Sequence, residues 1–232
     1  MTHRNTPPRT WITPSEIASL VEARHSTPHM LLGMHPLGTG KGLVVRALLP
    51  EAARAWLLAD DSPEEALPLR SVHADGLFEL HLPDRDAVFA YRFRAEREGG
   101  ETVTFRDPYT FLPTLTDFDL YLAGEGRHED LYRRMGAHRR DLGGESGVAF
   151  TVWAPAASRV SVVGDWNQWD GRVHMMRSLG NSGIWEIFIP GLGTGQHYRF
   201  EIRTAGGSLQ LRSDPYGFAF ELRPKVAALI TD

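Results

Sequence analysis

Residues 76–109 read GLFELHLPDRDAVFAYRFRAEREGGETVTFRDPY, and residues 183–216 read GIWEIFIPGLGTGQHYRFEIRTAGGSLQLRSDPY. The two align without a gap at a constant offset of 107 (183 − 76), with identities at Gly76/Gly183, Glu79/Glu186, Pro83/Pro190, Tyr91/Tyr198, Arg92/Arg199 and Phe93/Phe200. Both also share a Gly-Gly pair and end in Asp-Pro-Tyr. Self-similarity at a fixed period marks a duplicated structural unit. Upstream, VVRALLPEAARAWLL (44–58) matches FTVWAPAASRVSVV (150–163), with Pro50/Pro155 at offset 105. The two-residue difference falls between the matched blocks, where the second copy carries GDWNQWD (164–170).

The pattern inside each copy is that of strands. In Val160-Ser161-Val162, Trp185-Glu186-Ile187-Phe188-Ile189 and Tyr198-Arg199-Phe200-Glu201-Ile202 the side chains alternate with the period of two that one buried face requires. The Gly-Gly pairs separate strand-like runs as hairpin turns do, because glycine accepts positive φ at little cost. About six or seven short strands in about 90 residues suit an immunoglobulin-like β-sandwich. The expected fold is therefore all-β: two tandem immunoglobulin-like β-sandwiches with short N-terminal and linking helices.

The first helix is predicted over 14–24, where Thr13-Pro14-Ser15-Glu16 supplies a cap hydroxyl, a proline at the first helical position and a glutamate at the third. Ile12 and Ile17 stand where a hydrophobic staple belongs. DFDLYLAGEGRHEDLYRRMG (117–136) has near-helical apolar spacing, weakened in its middle by Gly124 and Gly126. The expected organisation is an N-terminal segment (1–25), a first sandwich (26–114), a partly helical linker (115–143) and a second sandwich (144–232), with 141–147 as a flexible joint.

Composition excludes several classes of function. Across 232 residues, 25 Lys+Arg against 29 Asp+Glu leave a net charge of −4, which provides no electrostatic case for nucleic acid or an anionic membrane. There is no cysteine, hence no disulfide or thiol chemistry, and a reducing cytoplasm is permitted. The N-terminal MTHRNTPPRTW holds no signal-peptide core, so the chain is expected to be cytoplasmic. HPLGTGKG (35–42) has His35 and Gly42 where a phosphate-binding loop needs Gly and Ser or Thr, and reads as a turn. His25, His29 and His35 are interrupted by Pro28 and read as capping or surface histidines rather than metal ligands. No nucleophile is paired with a base, no catalytic residue is nominated, and no cofactor is expected.

GDWNQWD carries the candidate site. An exposed indole offers a flat apolar face, and the flatter side of a sugar ring is its natural partner. Half of an aromatic's ~150–250 Å² covered at ~25 cal/mol per Å² gives roughly 2–3 kcal/mol. Trp169 is the expected platform. Asn167 stands beside it to satisfy ring hydroxyls, and Trp166, directly after the strand end at Gly164, is divided between platform and core. No tryptophan in the first copy aligns with Trp169, which falls on Ser62 or Glu64 there. Arg199 repeats Arg92 and so reads first as a residue of the shared fold.

The segments GDWNQWDGRVHMMRS, SGIWEIFIPGLGTGQHYRFEI and GGSLQLRSDPYGFAFELRP resemble the glycogen-associated carbohydrate-binding module that precedes the catalytic barrel of bacterial 1,4-α-glucan (glycogen) branching enzymes. HSTPHMLLGMHPLG, DPYTFLP and DFDLYLAGEGRHEDLYRRMGAH are similar to the extra N-terminal module of the longer bacterial members. The resemblance runs from Trp11 through nearly the whole chain. It implies a cytoplasmic glycosyltransferase that cuts α-1,4-glucan and rejoins the cut end through an α-1,6 bond in glycogen synthesis. The chain would then be its non-catalytic N-terminal region, inactive alone. Its partners would be α-1,4-glucan (glycogen, amylose, maltooligosaccharides) and its own catalytic barrel, with no nucleic acid and no membrane. The resemblance places the sugar platform on Trp169 and brings Arg199 to the ligand face. This chain departs from related modules at two positions: a second platform tryptophan falls near Leu209 or Leu211, and a ligand-facing asparagine falls at Ala227. Both losses predict weaker glucan binding or a role closer to docking against the barrel. Alternatives are a standalone glycogen-targeting adaptor and the N-terminal region of a debranching-type glycoside hydrolase.

Overall fold

The computed structural model describes residues 10–232; the reading of the extreme N-terminus, residues 1–9, lies outside the described residues. The first unit opens with α1 (Pro14–Val21), whose start is a full capping box. The Thr13 side chain accepts from the Glu16 amide, and the Glu16 carboxylate accepts from the Thr13 amide at 2.8 Å. Strands β1 (Gly33–Pro36), β2 (Leu43–Leu48), β3 (Ala52–Ala59), β4 (Ala66–Pro68), β5 (Arg70–His73), β6 (Leu77–Leu82), β7 (Tyr91–Arg97) and β8 (Thr102–Arg106) follow. They pair antiparallel into two sheets, β1-β2-β6-β5 and β4-β3-β7-β8. The apolar faces of these sheets meet in one core that includes Val45, Leu57, Phe78 and Phe93.

The second unit repeats the plan. After α2 (Asp117–Gly124) come β9 (Gly136–Leu142), β10 (Glu145–Trp153), β11 (Ala157–Gly164), β12 (Arg177–Ser178), β13 (Ile184–Pro190), β14 (His197–Thr204), β15 (Leu209–Arg212), β16 (Ala219–Phe220) and β17 (Ala228–Leu229). One sheet runs β12-β13-β10-β9. The other runs β11-β14-β17-β16, with β15 also on β14. Val148, Phe150, Val162, Ile187 and Phe200 fill the space between them. The all-β, two-sandwich expectation holds.

Two local expectations change. The first helix stops at Val21, because Ala23 adopts a left-handed φ of 46° that no further helical turn can follow. The stretch read as a flexible joint is a hairpin turn: Gly143 and Gly144, with φ of 57° and 82°, connect β9 to β10 within a continuous ladder. Strand β9 itself was read as linker.

The duplication also reaches further than the sequence reading found. At an offset of 103 (116 − 13), Thr13, Arg24, His25, Gly33 and His35 recur as Thr116, Arg127, His128, Gly136 and His138. Thr116 and Asp119 form a second capping box. His35 Nε2 and His138 Nε2 each lie 2.8 Å from a carbonyl three residues back, Leu32 and Met135. Gly33 and Gly136 both have φ near 90°, and a Cβ there would come 3.3 and 3.2 Å from the Tyr109 and Tyr216 carbonyl oxygens. The strand that follows each helix therefore starts against its own sandwich's Asp-Pro-Tyr turn, at Tyr109 or Tyr216.

That turn is anchored from inside. Tyr91 donates its hydroxyl to Asp107 and Tyr198 donates to Asp214, each at 2.5 Å. The other carboxylate oxygen accepts the Tyr109 amide at 2.9 Å and the Tyr216 amide at 2.8 Å. Burial pushes Asp107 up to about 6 against the two hydrogen bonds that favour its charge. A second repeated device holds the entering chain. Glu79 accepts from Thr10 Oγ1 (3.0 Å) and Arg46 (3.0 Å), whereas Glu186 accepts from the Thr114 amide (2.6 Å) and hydroxyl and pairs with Arg177 at 3.5 Å.

The units pack head to tail. Leu20, Leu48, Leu77 and Tyr109 of the first join the core of the second. The Tyr109 hydroxyl donates to the Val173 carbonyl (3.2 Å) and accepts from the Met175 amide (3.1 Å), and Arg159 donates to the Ala23 carbonyl at 2.8 Å. Replacing Tyr198 by Phe removes the buried donor to Asp214 and keeps the ring. Urea unfolding of Tyr198→Phe should show a loss of about 1.5–3 kcal/mol, the size of a hydrogen bond to a charged group.

Candidate functional site

Antiparallel neighbours directly opposite each other share a face. Val163 faces Arg199, Ser161 faces Glu201 and Arg159 faces Arg203 across β11 and β14. On β15, Leu211 faces Glu201 and Leu209 faces Arg203. These residues form the outer face of the second sandwich, since Val162 and Phe200 point inward. Arg159 and Glu201 form an ion pair at 2.8 Å, and the Arg199 guanidinium donates to the Leu211 carbonyl at 3.1 Å. Leu209 and Leu211 remain exposed, while Ala227 is buried.

The tryptophan loop leaves the end of β11 beside Arg199. Asn167 does not face solvent as the sequence reading expected. Its side-chain oxygen accepts the Gly164 amide at 2.9 Å, and its nitrogen donates to the Val162 carbonyl at 3.0 Å. With 6% exposure, it shapes the loop and is unavailable to a sugar hydroxyl. Of the two readings of Trp166, the geometry fits the core one: its ring stacks on Phe150 at 5.5 Å and 24°, on the core side. The indole N–H donates to His174 Nδ1 at 3.3 Å, and the Asn167 side chain lies 2.9 Å from the same atom. Two donors on one nitrogen require a neutral ring with its proton on Nε2. Burial pushes His174 down to about 4, so the ring is neutral at pH 7.

The next two residues leave the core. Gln168 has φ 54° and ψ 27°, and Trp169 has φ 62°. Left-handed backbone costs a non-glycine residue about 1–2 kcal/mol, and a bulky residue there is an outlier that the surroundings must hold. The Trp169 amide donates to the Gly164 carbonyl at 3.2 Å, and the Trp169 side chain adds slightly to what favours the charged form of Asp165. Although burial pushes Asp165 up, the His197 amide and imidazole, both at 3.0 Å, help hold its carboxyl below the usual range. Gln168 donates across to Glu51 of the first sandwich at 2.8 Å. The ring of Trp169 remains 38% exposed. Of the four predicted residues, Trp169 and Arg199 lie around the water-facing rim, and Trp166 and Asn167 support the loop from below.

Sequence reading missed Glu51 and His174, for which no local motif exists. It also missed Trp56, which lies on the matching outer face of the first unit, opposite Arg94. The guanidiniums of Arg54 and Arg94 sit 5.6 and 5.0 Å from its ring. The first-copy indole is thus capped by cations.

The remaining motifs are structural. HPLGTGKG makes the β1–β2 turn, where the Leu37 amide donates to the Gly42 carbonyl at 2.9 Å. His29 packs edge-on to Tyr109 at 4.9 Å. No group of three or more metal-ligating side chains occurs among the described residues, and no described helix is long and apolar enough to cross a membrane.

Known proteins match this sequence. Residues 134–217 match carbohydrate-binding module 48 (isoamylase N-terminal domain), and residues 13–109 match the N-terminal domain of the α-1,4-glucan branching enzyme. The 1,4-alpha-glucan branching enzyme GlgB of Myxococcus xanthus is 46% identical over 94% of this chain, and that of Nostoc sp. is 42% identical over 96%. The chain belongs to the N-terminal region of the branching-enzyme family. It spans 29% of the length of each of those two relatives. A pullulanase from Anoxybacillus sp. LM18-11 shows a TM-score of 0.36 at 17% identity, covering 82% of this chain and 25% of that one.

The loop's dependence on neutral His174 has a pH signature. A histidine pushed down on folding stabilises above its unfolded value near 6.5, and that stability is lost as pH falls toward about 4. The loss is on the order of 3 kcal/mol over this window. Unfolding midpoints should fall between pH 6.5 and 4, and His174→Gln should flatten the slope.

Proposed function

We propose that this region binds α-1,4-glucan on Trp169 within a branching enzyme that converts α-1,4 chains into α-1,6 branches in the cytoplasm. The reading rests on one observation: the indole is held out of the core, 38% exposed, by a left-handed backbone tied down on both sides. Arg199 and the exposed Leu211 extend the surface along the sheet. The absence of cysteine suits the reducing compartment. A single platform of this area binds at about millimolar strength, since ~4 kcal/mol corresponds to that constant. Weak sites suit a polymer that presents many chain ends. Titration with maltoheptaose followed by tryptophan fluorescence should show saturable binding that Trp169→Ala abolishes. Trp166→Ala should instead lower stability by about 3 kcal/mol.

A second role follows from the head-to-tail packing. One residue of the face by which the first unit receives the second has an exposed counterpart on the second unit. Leu48 is 3% exposed and its counterpart at offset 105, Trp153, is 62% exposed; Phe118 and Tyr132, ahead of the second sandwich, are also exposed. A cleft of about 630 Å³ beside them is lined by Phe118, Tyr132, Arg134, Arg140 and Phe218. Exposed aromatic side chains grouped around a cleft suit a contact site. This face is where the catalytic barrel of the parent enzyme would seat. In full-length enzyme, Phe218→Asp should lower the thermal midpoint of the whole, whereas in the 232-residue chain it should leave unfolding unchanged.

A further inference from the structure

Among the described residues, the hydrogen bonds of the tryptophan loop stay within its own sandwich except that of Gln168, whose side chain crosses to the other unit. Its amide nitrogen lies 2.8 Å from Glu51 Oε2, at the turn entering β3 of the first sandwich. Glu51 is in turn paired with Arg97 at 3.2 Å, and Arg97 with Glu101 at 3.3 Å. Arg172 and Asp75 complete the charges around it, and Arg172 is itself tied to Asp170, the residue after Trp169, at 2.6 Å. Gln168 is the first of the two left-handed residues, and its backbone sets the direction in which Trp169 leaves the chain. A side chain that held no tether there would be free to return to the ordinary right-handed or extended basins, and the ring after it would turn with it.

We propose that Glu51 is a positioning residue for glucan binding: the first sandwich presents the sugar platform of the second by gripping Gln168. This rests on Trp169 being the glucan platform and adds to it the part played by the first unit. A module that contributes no ring of its own then governs how well its neighbour's ring is presented. Glu51 touches no sugar. It acts through Gln168, with Arg97 fixing the carboxylate.

The test uses the 232-residue chain and maltoheptaose. Glu51→Ala and Gln168→Ala should each weaken binding about threefold to tenfold, the range of an ordinary net hydrogen bond at an exposed position. The double variant should be no weaker than either single one, because both remove the same contact. Glu51→Gln, which retains an acceptor for Gln168, should restore most of the affinity. With 5-fluorotryptophan incorporated, the Trp169 resonance, identified by its loss in Trp169→Phe, should shift in Glu51→Ala without ligand, while the thermal midpoint stays within a degree or two. Additive losses in the double variant, or an unmoved Trp169 resonance, would overturn the positioning role. If the wild-type chain shows no maltoheptaose binding, the platform reading itself fails, an outcome distinct from normal binding in Glu51→Ala.

Discussion

A tyrosine hydroxyl 2.5 Å from a buried carboxylate ties the middle of each sandwich to the turn that leaves it, and the elements that matter for function hang from that turn. Asp107 and Asp214 each serve two masters, a phenol from β7 or β14 and the amide of the tyrosine two residues on. The turn is thereby held rigid. On its outer side rests the close-packed glycine, Gly33 or Gly136, that begins the first strand of the unit, so the helix ahead of that glycine has one place to lie. In the first unit the same tyrosine, Tyr109, then reaches the second unit through Val173 and Met175, two residues that follow the tryptophan loop. The route from core to candidate site is continuous and short.

The strand repeat was legible because ladders tolerate no insertion: Gly76 to Tyr109 and Gly183 to Tyr216 keep step residue for residue. The helical segments hid their kinship. Their offset slips to 103, and between Thr13 and His35 the identities are few, because only a cap, a turn glycine and a histidine bonded to a nearby carbonyl are required to be the same. Ala23 in one copy and Gly126 in the other take the same left-handed step, and nothing in the residue names shows it. The Gly143-Gly144 pair was read as loose because glycines mark both joints and hairpins, and only the ladder on either side tells them apart.

At the candidate site the indole of Trp169 could be read from its place in a polar loop. The roles of its neighbours could not. An asparagine beside a platform can face a sugar or fold back on its own strand, and Asn167 folds back because the Gly164 amide and Val162 carbonyl at the strand end need partners. Trp166 turns inward because Phe150 presents a ring to stack on. The contact between Gln168 and Glu51 spans 117 positions, beyond the reach of any motif.

The head-to-tail arrangement is open-ended. Each unit sits on its predecessor with one side and offers the other to whatever comes next, so the order of assembly is polar, like stacked cups. Such a stack can be shortened or lengthened at its front without redrawing the exposed side of its last unit. A front unit freed from that duty is then available to adjust the reach and aim of the one behind it.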